Sequence, residues 1–314
     1  MYEKRLLRRR DPDGRVHYFS REDFPCLTSQ EYTFTGDKGQ TLTAFLYYKG
    51  EPRYDNLIIL DHGMGCGHYA YLSEIDEITR RGYTVFTYNH TGTRGSGGEN
   101  IGGFSQSLSD LDRAVTFART LDRYKDAEIV VIGHSWGGFA AMNIAAIHSD
   151  VARIVAISGF ISAKTIQNQA LKGPMRLCRP TLARLESEAL PDYCHFDGRE
   201  SMKMAVNTKA LFIHSRDDKT CSYKEQFLEL EKALGGKEGI EFLTVDKKNH
   251  HPQYTEEAVA YKAKFNKELS KRIKRGTLST DAEKAEFIKM YDWRKMNEQD
   301  TELWDKVFEF LEKQ

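Results

Sequence analysis

Glu128-Ile129-Val130-Val131-Ile132-Gly133-His134-Ser135-Trp136-Gly137-Gly138-Phe139-Ala140-Ala141-Met142-Asn143-Ile144-Ala145-Ala146-Ile147 is the stretch that decides the fold. Its opening is a short β-branched run, the pattern of a strand buried on both faces. Its last ten residues are rich in helix formers and apolar nearly all round, as a buried helix would be. Between the two lies G-x-S-x-G. A strand, this pentapeptide and a helix together make a nucleophile elbow, whose tight turn strains the serine backbone and lifts its hydroxyl above the sheet. Gly133 and Gly137 must be small, because side chains there would collide with the adjoining strand and helix.

Outward from this centre the chain alternates strand and helix. Upstream, residues 31–49 read as a hairpin turning at Gly36-Asp37-Lys38-Gly39. Strands are expected at Leu57–Leu60, Thr84–Tyr88, Ile129–Ile132, Ile154–Ile157, Leu211–Ile213 and Phe242–Val245, with helices near 70–81, 107–124, 137–148 and 223–234. An antiparallel start followed by repeated β-α units implies an α/β fold with a mostly parallel, doubly wound sheet. Ligands of such sheets sit at the C-terminal strand ends. The core is expected over 1–160 and 207–275. The long segment 161–206 is read as a helical cap, its apolar residues (Ile161, Met175, Leu177, Leu182, Leu185) mixed with Arg176, Arg179 and Arg184. The tail, 276–314, is read as a helical extension packed on the core. Thr280 and Glu283 suit a capping box there, and Trp304, Val307, Phe308 and Leu311 recur at helical spacing. Removing the tail is expected to cost stability while leaving the chemistry intact.

A serine hydroxyl needs a base to remove its proton and a carboxylate to orient that base. The elbow therefore calls for an acid and a histidine downstream, each just past a strand. Leu211-Phe212-Ile213-His214-Ser215 is followed by Arg216-Asp217-Asp218, and the strand ending at Val245 is followed by Asn249-His250-His251. Serine, acid and histidine thus fall in the required order on three strand ends.

With these residues the chain resembles the α/β-hydrolase superfamily, in its esterase/peptidase-like branch, from about residue 31 to 275. The resemblance implies that fold and a Ser-Asp-His triad. Its H-G-x-x-D pattern falls on His214 to Asp218 and selects Asp218 over Asp217. Its G-H-x pattern falls on Asn249-His250-His251 and selects His250 over His251. Ser215 and Asn249 stand where the family usually has glycine. The oxyanion hole would be the backbone N–H groups of Trp136, which follows the nucleophile, and of Met64, in the H-G-x-like turn His62-Gly63-Met64-Gly65. The loop from Asn89 to Gly98 is similar to the family's D-x-x-G-x-G-x-S loop, which is structural.

Composition narrows the alternatives. Forty-six basic residues balance 46 acidic ones, so no overall charge draws the chain to nucleic acid or a membrane surface. Arg8-Arg9-Arg10 and the basic run from Lys264 to Arg275 read as solvated surface. No stretch approaches a membrane span, the N-terminus lacks a secretion-signal core, and five scattered cysteines suit a reduced compartment, so a cytoplasmic location is expected. Cys66, His68 and His62 lie close in sequence but lack metal-site spacing, and Cys66 as a nucleophile is the minor alternative. No cofactor and no metal are called for. The expected function is a serine hydrolase working on carboxylic esters of small or medium acyl or aryl groups, held by the apolar cap residues. Peptidase or amidase, thioesterase and acyltransferase activities stay open, as do a non-catalytic ligand receptor and an interaction protein acting through its aromatic tail. The expected partner is a small-molecule substrate; oligomeric state is open.

Overall fold

The computed structural model describes residues 7–65 and 67–313; Cys66 lies outside them. Eight strands form one sheet: β1 (Leu27–Thr35), β2 (Thr41–Lys49), β3 (Asn56–Asp61), β4 (Val85–Tyr88), β5 (Glu128–His134), β6 (Val151–Ile157), β7 (Lys209–Ser215) and β8 (Ile240–Val245). Their order is β1-β2-β4-β3-β5-β6-β7-β8. β2 pairs antiparallel with both β1 and β4, and every later pairing is parallel. Because β3 lies between β4 and β5, the chain winds in opposite directions from it, and the elbow at the end of β5 sits at this switch point.

Helices α1 (Leu72–Arg80), α2 (Gln106–Ala118) and α3 (Trp136–Ile144) connect the central strands. α4 (Ala163–Ala170), α5 (Arg179–Ala189) and α6 (Gly198–Met204) fill the β6–β7 connection, and α7 (Leu228–Leu234) leads to β8. After β8 come α8 (Glu256–Arg275), α9 (Asp281–Lys289), α10 (Trp293–Met296) and α11 (Thr301–Glu312). None of the described helices is long and apolar enough to cross a membrane.

The sheet is buried on both faces, and side-chain alternation divides the core accordingly. Leu57, Ile59, Ile129 and Val131 face one cluster with α2, α3 and α7. Ile58, Leu60, Val130 and Ile132 face a second cluster with α1 and α11. The predicted stripe in the tail is the reason α11 reaches that face. Trp304, Val307, Phe308 and Leu311 all join the second cluster, and Phe308 stacks on Tyr83 at 5.5 Å. Each such buried side chain contributes about 1.5–3 kcal/mol. The helix directly after β8 takes a different course: Phe265 of α8 packs with Leu278, Phe287 and Met296 in a small separate cluster. The Thr280–Glu283 capping box starts α9, as its spacing predicts, and Asp300 caps α11 by accepting from Leu303 N–H at 3.0 Å.

Candidate active site

Ser135 stands between β5 and α3 with φ 57° and ψ −108°, a left-handed conformation strained for a non-glycine residue. The flanking glycines are required by close approach. A Cβ on Gly133 would lie 2.1 Å from the carbonyl oxygen of Gly137, and one on Gly137 would lie 2.0 Å from that of Asp61.

The serine of the elbow and the acid and histidine that the resemblance selects come together here. Ser135 Oγ lies 2.8 Å from His250 Nε2, and His250 Nδ1 lies 2.8 Å from Asp218 Oδ2. The other carboxylate oxygen of Asp218 accepts from the N–H groups of Thr220 and Cys221, at 2.7 and 3.0 Å. Burial alone would raise this carboxyl. Hydrogen bonds and charge from His214 and His250 outweigh it and hold Asp218 well below the usual carboxylate range. An ionised acid, an imidazole and a serine hydroxyl therefore stand in one line.

Asp217 and His251 do other work. Asp217 Oδ1 accepts from the Ser215 hydroxyl at 2.6 Å and from Asn249 N–H at 3.1 Å, joining the loops after β7 and β8. Ser215 Oγ also accepts from Lys248 N–H at 3.2 Å. Ser215 thus supplies a cross-link between the loops that carry Asp218 and His250. Asn249 has φ 47°, and asparagine tolerates this region better than most residues. His251 is stacked between His134 and Tyr254, at 5.3 and 5.2 Å. Burial, reinforced by Lys262, His134 and His250, pushes it well below the usual histidine value.

A hydrogen-bond chain that sequence reasoning missed ties the turn at Gly63 to the loop carrying His250. Gly63 N–H donates to the Tyr71 oxygen at 2.9 Å, and the Tyr71 hydroxyl lies 2.7 Å from His134 Nδ1. His134 Nε2 lies 2.8 Å from the carbonyl oxygen of His250. A carbonyl can only accept, so Nε2 carries the proton, Nδ1 accepts, and the Tyr71 hydroxyl donates. Burial, with His250 beside it, pushes His134 down to about 3, so this neutral tautomer persists across the working range. His134 was visible only as the variable residue of G-x-S-x-G, and Tyr71 lay in an ordinary helical stretch. Nothing in their spacing announced the chain.

Beneath the elbow, His90 lies between two buried carboxylates, 2.6 Å from Asp61 and 3.3 Å from Asp110. Burial would lower this imidazole, but the two carboxylates overrule it and raise it to about 10. The neighbouring histidines are engaged. His62 Nδ1 lies 2.8 Å from Gly63 O, and His68 lies 2.9 Å from Asn89 and 3.0 Å from Tyr47. Asn89 also donates to Arg94 O at 2.7 Å, bracing its own loop.

The space beside Ser135 is a cleft of about 210 Å³ walled by Gly63, Met64, Tyr71, His134, His250, His251, Gln253, Tyr254 and Lys262, with Tyr18, Gly65 and Ala70. No described residue of 161–206 lines this cleft. Ile161 and Leu182 are instead buried, while Met175 and Leu177 are 56% and 79% exposed. The tail touches the loop that carries His250. Lys248 Nζ, two residues before His250, donates to Asp300 and to Tyr254 O, both at 2.7 Å, and Asp300 N–H donates to Gln253 O at 2.8 Å.

Comparison with known proteins agrees with this architecture. A family model described as serine aminopeptidase, S33, matches residues 52–203. No curated protein matches the sequence. The esterase Pf2001 of Pyrococcus furiosus superposes with a TM-score of 0.61 at 17% identity, covering 86% of this chain and 99% of that one. Est1E from Butyrivibrio proteoclasticus, solved with ferulic acid bound, gives 0.57 at 17% identity over 76% of this chain and 98% of its own. The α/β hydrolase GrgF from Penicillium sp. sh18 gives 0.55 at 19% identity over 71% and 91%. At these identities the likeness is one of fold.

Proposed function

Given the α/β-hydrolase fold of this chain, we propose that it is a serine hydrolase acting through an acyl-enzyme on carboxylic esters. The observation that carries this reading is the continuous Ser135–His250–Asp218 relay, with both contacts at 2.8 Å. Ser135 Oγ attacks the ester carbonyl carbon while His250 Nε2 takes its proton. The N–H groups of Met64 and Trp136 receive the negative charge that develops on the carbonyl oxygen, each such donor contributing about 2.7–4 kcal/mol to the transition state. Collapse breaks the bond to the alcohol, which leaves with the proton from His250. Water, deprotonated by His250, then attacks the acyl-enzyme and frees the acid and Ser135. Asp218 remains ionised throughout and holds the imidazolium.

An aminopeptidase is the second reading, suggested by the description of the matching family model. It needs an anionic group to meet the substrate's terminal ammonium. The described cleft residues include no carboxylate and one cation, Lys262, which favours the ester reading. A fluorophosphonate probe and a panel of p-nitrophenyl esters run beside aminoacyl anilides test both. Ser135 should be labelled and the esters cleaved, with both signals lost in Ser135→Ala. Undiminished turnover by a folded Ser135→Ala would overturn the mechanism.

A further inference from the structure

The cleft beside Ser135 continues past the triad. Tyr18, Ala70 and Lys262 line it and also line a second chamber of about 200 Å³, whose walls include Val16, Phe19, Tyr69, Phe265, Trp293 and Met296. This chamber is built by the N-terminal segment, α8 and the C-terminal extension. Lys262 therefore stands where a catalytic cleft opens into an aromatic room.

The cation at this junction has no close anion among the described residues. Lys262 is half-buried, and among the described residues its ammonium makes no hydrogen bond and no ion pair; it lies 4.8 Å from the centre of the Tyr254 ring. Burial pushes it down to about 8, with Glu74 resisting, so it is charged at neutral pH but poorly solvated. A partly desolvated cation whose acidic neighbour, Glu74, stays outside ion-pair distance gains from an anion that comes within it. Binding sites place a few convergent polar groups among apolar walls, and Lys262 at the rim of this aromatic chamber is such a group.

We infer that the substrate is an aryl ester that also carries a carboxylate, and that Lys262 binds this carboxylate at the junction of the two chambers. The inference deepens the serine-hydrolase reading and rests on it. Neutral esters reach the same serine but leave the ammonium unpaired, so the discrimination is between charged and neutral forms of one shape. Charge-assisted hydrogen bonds of this kind contribute about 1.5–3 kcal/mol, or roughly ten- to a hundredfold in binding.

The test uses 3- and 4-acetoxybenzoate against the matching acetoxybenzamides, which are neutral and nearly the same size. In the wild type, kcat/KM for at least one benzoate should exceed that of its amide twin by about tenfold or more. Lys262→Met should bring that ratio close to one, and Lys262→Arg should retain most of it. Because the ratio compares two substrates on one protein, a general loss of activity does not move it. In parallel, calorimetric titration of Ser135→Ala with the same four compounds reads binding without turnover, and benzoate should inhibit the wild type better than benzamide. Equal kcat/KM for charged and neutral twins, with Lys262→Met leaving the ratio unchanged, would overturn the inference while the hydrolase stands. If none of the esters is cleaved, the ester reading falls for aryl substrates, and the titration decides: equal binding of benzoate and benzamide forms overturns the carboxylate site as well.

Discussion

The insertion 161–206 and the two ends of the chain invite comparison, because both lie outside the β-α alternation and both mix apolar with charged residues. Their fates differ. The insertion leaves Met175 and Leu177 in solvent and sends no described side chain into the cleft beside Ser135. The ends, far apart in sequence, meet around that cleft. Tyr18 lines it, Val16, Phe19, Trp293 and Met296 extend it, and Asp300 holds the loop of the proposed base. Apolar composition reveals that a segment has something to bury, but not which surface it will find. A segment bracketed by two core strands is no nearer the site than a tail that returns to it.

Four tests break or sharpen this comparison. The largest effect belongs to neither region but to the loops they surround: Asp218→Asn should lower kcat by roughly 10⁴-fold, while Asp217→Asn should cost far less. Reversed severities in steady-state kinetics would shift the acid by one residue. Next comes the tail. Trp304→Ala should destabilise the protein by about 3–5 kcal/mol in denaturant titration, because it empties a fully buried site against the sheet. A value under about 1 kcal/mol would mean that the site collapses or that α11 is held elsewhere. Tyr71→Phe should be intermediate. It leaves Gly63 N–H and His134 Nδ1 without their partner, at about 1–3 kcal/mol, and should lower kcat more than it changes KM, since the proposed oxyanion turn and the loop of the proposed base lose their tie. Smallest is the insertion: Met175→Ser with Leu177→Ser should change stability by about 0.5 kcal/mol or less and leave ester hydrolysis as it was. A strong loss of long-chain ester activity in that double variant would return the acyl site to the insertion.

Much of the architecture was legible because period and order carry it. The central strands contain the β-branched runs that marked them, and G-x-S-x-G with flanking strand and helix located the elbow before any geometry was known. Boundaries were less so. The helix expected over 107–124 stops at Ala118, and the one over 223–234 begins as a π-turn at Tyr223–Phe227. Of α8 only Lys264 to Arg275 was read, as a basic surface run. Its first half is where Lys262 sits, and one lysine on an amphipathic helix gives no sign of facing a cleft. The Tyr71–His134 chain was hidden for a related reason. Both residues belong to patterns that explain them fully without it, and only their distance in space reveals the second use.

The pair of carboxylates around His90 has a consequence for the whole molecule: a proton acts there as a structural ligand. His90 holds it up to about 10 in the folded chain, against an ordinary value of 6.5. Mass action then favours the folded state wherever that proton is bound. The contribution is complete below about 6.5 and is withdrawn as pH rises toward about 10, so thermal stability should decline over that interval. Lys262, lowered to about 8 by burial, pulls the other way over part of it. The informative measurement is therefore the difference between wild type and His90→Gln in melting temperature from pH 6 to 10. That difference should shrink steadily as the solution becomes alkaline, since the wild type is then losing the proton that the variant never held.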